Sequence, residues 1–477
     1  MPTLEELPAG WALASLSEIA TSIGGGTPDT RQARYWDGGT FPWVSPKDMK
    51  SFDIRDSIDK LNQNALERLT LVQADSVLTV VRSGILSRTF PVAVNGVPVT
   101  INQDMRAFRP GAGINARFVA LQLVAHESEI LSSCAKDGTT VASIEGARLA
   151  SFRLAIAPER EQSRIVSAVD QLLSDLDAAM VELITAQKKL AHYRLSLLKS
   201  AVEGTLTAEW RGRRAQVAAA RPAPSVVGWT ELPDAWQWAS AEAQCGFITK
   251  GTTPPKSLVS EGAKCVPFLR VTNLTHDGSL DFSDQVFVAE DVHRKFLTRS
   301  IVKPGDVLMN IVGPPLGQVS LVPPTFPEWN VNQAIAIFRV QPGLLNEFLA
   351  YVLLSPGAGR WLQARAKTTA GQTNLTLEVC RSLPVPVPPL AEQAEIVRLL
   401  NQHLEALAKQ GEAIDHALAM TSAQRQNILR AAFSGQLVPQ DPNDEPASVL
   451  LERIRAERQA SPQASKRKPG RAAKVAA

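Results

Sequence analysis

The chain has 477 residues, with 50 basic against 47 acidic side chains, and 44% of it is hydrophobic. That length suits two to four domains of roughly 100–200 residues each, and the composition excludes wholesale disorder. No apolar run approaches the roughly 18 residues of a membrane helix. The first residues, Met1-Pro-Thr-Leu-Glu-Glu-Leu-Pro8, lack the basic start and apolar centre of a secretory signal. The expectation is a cytoplasmic chain with no membrane partner.

The first predicted region, residues 1–156, is mixed. Apolar runs such as Ser76-Val-Leu-Thr-Val-Val81 lie between Gly/Pro punctuation and read as strands. Residues 118–131 read as a short helix. Residues 157–204 read as one long helix. Pro158 suits its start, Glu159 and Glu161 favour the positive end of its dipole, and Gly204 suits its stop. Val169, Leu176, Leu183, Leu190 and Leu197 recur every seven residues, the mark of a coiled-coil seam. Ile165 and Leu172 begin a companion row, continued by Ala179, Ala186 and Tyr193. Residues 205–228, basic and Pro/Ala-rich, read as a flexible linker.

The chain then repeats itself. Residues 229–387 form a second mixed region, with Gly305-Asp-Val-Leu-Met-Asn-Ile311 as strand and residues 345–354 as helix. A second long helix follows over 388–435, its seam read as Ile396, Leu400, Leu407, Ile414, Leu418 and Ile428. The copies match in order. Glu6-Leu-Pro-Ala-Gly-Trp11 answers to Glu231-Leu-Pro-Asp-Ala-Trp236, and Ile101-Asn-Gln103 to Val331-Asn-Gln333. Pro158-Glu-Arg-Glu-Gln162 answers to Pro389-Leu-Ala-Glu-Gln393, and Leu198-Lys-Ser-Ala-Val-Glu-Gly204 to Leu429-Arg-Ala-Ala-Phe-Ser-Gly435. Such ordered matches mark a duplication. Helices of about 67 Å need a partner for their stripes, and each is the obvious partner of the other.

Residues 436–477 read as a polar, basic tail, largely disordered, with room for a short amphipathic helix near 447–458. Beyond residue 459 it carries Lys466, Arg467, Lys468, Arg471 and Lys474 and no acid. It reads either as sequence-independent phosphate attraction or, the favoured choice, as a solubilising end.

The fold class is therefore α+β: two tandem mixed α/β heads and two long helices forming an antiparallel coiled-coil spacer, with internal pseudo-twofold symmetry.

Self-sufficient catalytic chemistry is not apparent. There is no phosphate-binding Gly-x-x-x-x-Gly-Lys loop, Gly-x-Ser-x-Gly elbow or His-Glu-x-x-His helix. Gly111-Ala-Gly-Ile-Asn-Ala116 follows Arg109-Pro110, so it reads as a turn entering a helix and not as a dinucleotide site. Pro28-Asp29 with Asp48-Met-Lys50 resembles a metal-dependent nuclease constellation, but the second copy keeps neither carboxylate. Cys134, Cys245, Cys265 and Cys380 lack zinc-site spacing and read as reduced thiols. The chain on its own is read as non-catalytic, with no metal or cofactor. Two unlike heads on a spacer suit an asymmetric, elongated target. The competing reading is a coiled-coil scaffold that bridges two protein partners without reading such a target.

The ordered set of motifs resembles the specificity subunit of type I restriction-modification systems. Its carriers are the helix starts after Ala157 and Pro388 and the helix ends at Gly204 and Gly435. Further carriers are Gly25-Gly-Thr-Pro-Asp-Thr30, Phe41-Pro-Trp-Val-Ser-Pro-Lys-Asp48, Val331-Asn-Gln-Ala334 and Pro439-Gln-Asp-Pro-Asn-Asp-Glu-Pro446. The resemblance implies that each head is a target recognition domain for one half of a gapped site in double-stranded DNA. It implies that the helices set the gap and recruit two modification subunits. Those subunits would bind S-adenosylmethionine and methylate adenine N6, flipping the base out of the stack. Restriction subunits would add ATP- and Mg-dependent cleavage. Within the heads, Arg31, Arg34, Lys47, Arg82 and Arg88, and Lys250, Lys256, Arg270 and Asn273, lie in loop-like stretches and are the candidates for DNA contact.

Overall fold

A computed structural model describes residues 7–136, 141–213, 231–260, 266–275, 277–369 and 372–460. The chain divides into two compact units: Met1–Glu182 with Ala417–Ala477, and Leu183–His416. The division cuts both long helices, so each unit holds one head, the first half of one helix and the last half of the other.

In the first unit, five strands form the main sheet in the order Ala20–Gly24, Met105–Pro110, Ser76–Val80, Val92–Asn95, Asp53–Ile54. Ser76–Val80 is buried at every position, as a central strand rich in β-branched residues (Val77, Thr79, Val80) should be. The helix Ala116–Ala125 packs on this sheet, with Phe118 and Val119 fully buried. Its start is the turn Gly111–Ile114, and the Asn115 side chain accepts from Arg117 N and Phe118 N. The Gly-x-Gly stretch is thus a helix start, as expected.

A smaller sheet orders Asp59–Leu61, Phe41–Val44, Thr100–Ile101; the last pair is parallel, with Trp43 opposite Thr100 and Val44 opposite Ile101. The second unit repeats the plan. Its main sheet orders Cys245–Lys250, Ile335–Val340, Val307–Asn310, Val319–Leu321. Its small sheet again contains a parallel pair, Phe268 opposite Asn330 and Leu269 opposite Val331.

The long helices span Glu159–Val202 and Leu390–Phe433, 44 residues each. They begin directly after Pro158 and Pro389, whose carbonyls accept from Gln162 N and Gln393 N. Both stop at glycines with positive φ, Gly204 (+78°) and Gly435 (+71°), a conformation that other residues adopt at a cost. Within each unit the helix halves run antiparallel. In the first unit Asp177 pairs with Arg425 at 2.8 Å, and Ile165 and Val169 share a core with Ile428, Leu429 and Phe433. In the second, Gln187 donates to Asp415 at 3.0 Å, and Leu197 and Leu198 share a core with Ile396 and Leu400.

Among the expected seam residues, Ile165, Val169, Leu197, Ile396, Leu400 and Ile428 are buried, and Leu176, Leu183, Leu190, Leu407, Ile414 and Leu418 are half-buried. Leu172 is a correction: it is 37% exposed, and Leu173 packs in its place. The companion row is off by one at three of its five positions; Ile165 is buried and Ala186 half-buried, as expected. Ala179 and Tyr193 are exposed, whereas Leu173, Met180 and Arg194 are half-buried. The position that meets the partner helix is i+4 from Val169, not i+3.

Two boundary expectations are also corrected. The expected linker is ordered as far as residue 213, through the short helix Ala208–Gly212; residues 214–228 lie outside the described residues. The tail is folded as far as residue 460. Helix Ala447–Ala460 buries Ala447, Leu450, Leu451 and Ile454 in the core of the first unit, against Gly111 and Gly113. Its flank is held by Arg455 to Glu18 at 2.9 Å, and the turn before it by Arg164 to Asp444 at 2.6 Å. The cations from Lys466 to Lys474 lie outside the described residues.

No helix among the described residues is long and apolar enough to cross a membrane. Cys134, Cys245 and Cys380 are free and buried, and Cys265 lies outside the described residues.

Candidate nucleic-acid interface

In each head, three chain segments converge where the parallel pair of the small sheet ends. The first is a Gly-x-Thr-Pro stretch, Gly25-Gly-Thr-Pro28 or Gly251-Thr-Thr-Pro254. It is bonded to the parallel strand through Gly26 N to Ile101 O (2.9 Å) and Thr252 N to Val331 O (3.2 Å). Glycine is required here. A Cβ on Gly25 would collide with Asn102 O, and one on Gly251 with Asn332 O.

The second segment is a one-turn 3₁₀ helix, Pro46–Asp48 or Val271–Asn273. Its closing residue reaches back to cap it. Asp48 accepts from Ser45 N, Ser45 Oγ and Ile58 N at 2.8 Å each. Asn273 accepts from Arg270 N at 2.8 Å and donates to Asp281 O at 2.9 Å. The third is an Asn-Gln turn, Asn102-Gln103 or Asn332-Gln333. Asn102 N donates to Val44 O (2.9 Å) and Asn332 N to Leu269 O (3.0 Å). Each Asn side chain then caps the N–H two residues on, at Asp104 (3.0 Å) and Ala334 (3.2 Å).

These segments gather most of the residues singled out from sequence. Arg31 and Arg34 are exposed just after Pro28, with the Arg34 guanidinium 4.8 Å from the Tyr35 ring centroid. Lys47 is exposed on the 3₁₀ turn and paired with Asp59 at 2.6 Å, which raises its pKa from the ordinary lysine value. Arg82 is bonded through its backbone N to Asp104 O at 3.2 Å, with an exposed side chain. In the second head, Lys250 is exposed at the end of the strand leading to Gly251. Lys256 lies in the 3₁₀ turn that follows Pro255. Arg270 flanks the capped turn and pairs with Asp284 at 2.5 Å.

Two candidates fit less well. Arg88 is exposed at the end of turn Gly84–Ser87, and no hydrogen bond among the described residues joins it to the cluster. Asn273 is a correction: it is 1% exposed and its amide is used inside the turn, so it supports the surface without presenting itself. The nuclease-like carboxylates are caps as well. Asp29 accepts from Arg31 N and Gln32 Nε2, and Asp48 closes its own turn. Sequence reasoning passed over Gln103 and Gln333, both exposed at the tips of their turns. The available signal was their recurrence at the same place in both copies.

Beneath each head the helix start carries a buried carboxylate. Trp11 Nε1 donates to Glu161 at 3.1 Å, and Trp236 Nε1 donates to Glu392 at 3.0 Å. The next residue is a glutamine that joins head to helix. Asn115 N donates to Gln162 at 2.8 Å, and Leu345 N to Gln393 at 2.8 Å. The heads are thereby fixed to their helices by polar contacts that have only one satisfied geometry.

The class defined by these features is a duplicated protein: two α+β heads, each presenting a three-segment loop surface, carried on paired long helices. The sequence profile of the type I restriction modification DNA specificity domain matches residues 8–188 and 246–414, and the chain belongs to that family. It is similar to the EcoKI specificity subunit of Escherichia coli K12, 26% identical over 96% of this chain and 97% of that one. It is similar to the EcoR124I/EcoR124II specificity subunit of Escherichia coli, 35% identical over 39% of this chain; that match spans 47% of the relative. The fold is similar to a chain from the structure on complex assembly and conformational transition of the type I R-M system. There the TM-score is 0.69 at 19% identity, covering 90% of this chain and 99% of the other. It is also similar to the HsdS subunit from Thermoanaerobacter tengcongensis, with a TM-score of 0.53, 19% identity, and 90% and 98% covered.

Proposed function

We propose that the chain is the DNA-specificity subunit of a cytoplasmic type I restriction-modification complex. Each head reads one half of a bipartite, gapped site in double-stranded DNA, and the paired helices set the gap. The observation that carries this reading is the duplicated loop cluster. The same three segments converge in both heads, yet the charged residues on them differ, as two readers of unlike half-sequences require. The candidate contacts are Arg31, Arg34, Lys47, Arg82, Lys250, Lys256 and Arg270.

The chain itself supplies recognition and no catalytic group. Two modification subunits, docked on the outward faces of the long helices, would carry S-adenosylmethionine and the adenine-N6 chemistry. Restriction subunits would carry ATP and Mg.

The test is to express the chain with its modification subunit in a methylation-free host and map N6-methyladenine. One asymmetric motif split by a fixed gap is the expected result. A soluble complex that methylates without any motif would overturn the reading in favour of a scaffold. The spacer role has its own test, inserting seven residues after Glu182 and seven after His416. At 1.5 Å per helical residue and 3.4 Å per base pair, the gap should lengthen by about three base pairs with both half-sequences unchanged.

A further inference from the structure

The Asn-Gln turn recurs in both heads, as does the Gly-x-Thr-Pro stretch beside it, while the charged residues around them differ. In both heads a side-chain cap from Asn102 or Asn332 fixes the turn, and the glutamine that follows is exposed. In both, an exposed threonine of the Gly-x-Thr-Pro stretch steadies that glutamine. The Thr27 hydroxyl donates to Gln103 Oε1, and the Thr253 hydroxyl accepts from Gln333 N at 3.3 Å.

The surroundings diverge. The strand edge beside the turn is bonded alike, Val81 N to Asp104 O and Ile311 N to Ala334 O, both 2.8 Å. The next residue is Arg82 in one head and Val312 in the other. The capped 3₁₀ turn carries Lys47 in one head and Thr272 in the other. If the heads read different half-sequences, a residue shared by both cannot discriminate between those halves. It suits what every duplex offers, the phosphodiester backbone. The chemistry agrees in the first head. With Gln103 Oε1 engaged by Thr27, its amide presents two N–H donors, and phosphate oxygens are acceptors only.

We propose that Gln103 and Gln333 are positioning residues that hold DNA phosphates in both heads and set the register. Sequence discrimination is left to the unlike residues around them. This rests on the specificity-subunit reading above. The decisive variants are Gln103→Glu and Gln333→Glu, which keep size and the acceptor oxygen but replace the donors with negative charge at an exposed position. They are made in the assembled complex with its modification subunits. Duplex binding is measured by fluorescence anisotropy, and the methylated motif is mapped in the same host.

Each variant is expected to weaken binding about tenfold or more, through like-charge repulsion, on cognate duplex and on duplex with one half scrambled. The motif should be unchanged. Gln103→Arg should recover binding with a steeper salt dependence. A changed half-sequence would make the glutamine a base reader and overturn the inference. Wild-type affinity for Gln103→Glu, with an unaltered melting profile, would overturn it as well. A wild-type complex that yields no bipartite motif would instead remove the functional reading, and this inference with it.

Discussion

Glu161 and Glu392 occupy the same position in the two copies, one residue before the glutamine that joins head to helix, but they are satisfied differently. Both are 1% exposed and both accept from an indole N–H. Glu392 also receives Thr207 Oγ1 at 2.7 Å and Arg211 at 2.5 Å. That same Arg211 donates to Gly204 O at 2.6 Å, tying the carboxylate to the end of the first long helix. Glu161 has Trp11 as its hydrogen-bonded partner, while the neighbouring Arg164 pairs with Asp444 of the tail. In the second unit the cation sits on the arriving segment (Arg211) and the acid on the long helix (Glu392); in the first the cation sits on the long helix (Arg164) and the acid on the arriving segment (Asp444). Duplication preserved the head-to-helix joint, and each copy found its own way to hold the chain that arrives from the other long helix.

The strongest way to break this comparison is to delete each carboxylate. Glu392→Ala leaves Arg211 and the buried Trp236 N–H without their acceptor and should cost about 3–5 kcal/mol. Glu161→Ala orphans one indole N–H and should cost about 1–3 kcal/mol. Urea unfolding, with hydrogen exchange resolving the two units, checks both; equal losses would refute the asymmetry.

Next in size is the tail helix, which the first unit uses as part of its core. Leu450→Ala should cost about 2–4 kcal/mol, with lost exchange protection confined to the first unit. Smaller still are the turn caps. Asp48→Ala and Asn273→Ala should each cost about 1–2 kcal/mol without altering the methylated half-sequences. A changed half-sequence would restore Asn273 as a reader, or make Asp48 one.

The smallest effect is a pH dependence at Glu161. Burial pushes the Glu161 carboxyl above its usual value of 4.5, against the opposing Trp11 hydrogen bond. A carboxyl raised in the folded state contributes stability below its unfolded pKa and loses it as pH rises through the folded value. Glu161→Gln should therefore be more stable than wild type at pH 7, with the difference shrinking toward pH 4. Melting temperatures across that range check the sign. Glu392→Gln should instead destabilise at pH 7, because Arg211 loses its charged partner.

Much of the architecture was legible because it is local or repeated. Pro158 and Pro389 announced the helices, Gly204 and Gly435 ended them, and the row from Val169 to Leu197 marked the seam. The companion row was misread at Leu172, Ala179 and Tyr193, because strict heptad spacing was carried on from Ile165 while the partner lies over the neighbouring positions, Leu173, Met180 and Arg194. The tail helix and the short helix Ala208–Gly212 looked unanchored. Their partners, Gly111 and Gly113 for the one and Glu392 for the other, are remote in sequence. The interface was partly legible. Gly/Pro punctuation located the loops carrying Arg31, Lys47 and Arg270. Sequence could not show that Asn273 folds inward, nor that three distant segments meet beside Gln103 and Gln333, since parallel pairing is a long-range contact.

The way the units are threaded bears on the order in which they form during synthesis. The second unit, Leu183–His416, is one continuous stretch. The first is built from Met1–Glu182 and Ala417–Ala477, with the whole of the second between them. The head that leaves the ribosome first must wait, with the core surface destined for Ile428, Phe433 and Leu450 uncovered, until more than two hundred further residues have been made. At about 5–20 residues per second that interval is on the order of ten seconds or more. The early head thus carries that uncovered core surface through the whole interval, and a chain stopped between Ala417 and Phe433 would leave it unfinished although every residue of the second unit has been made.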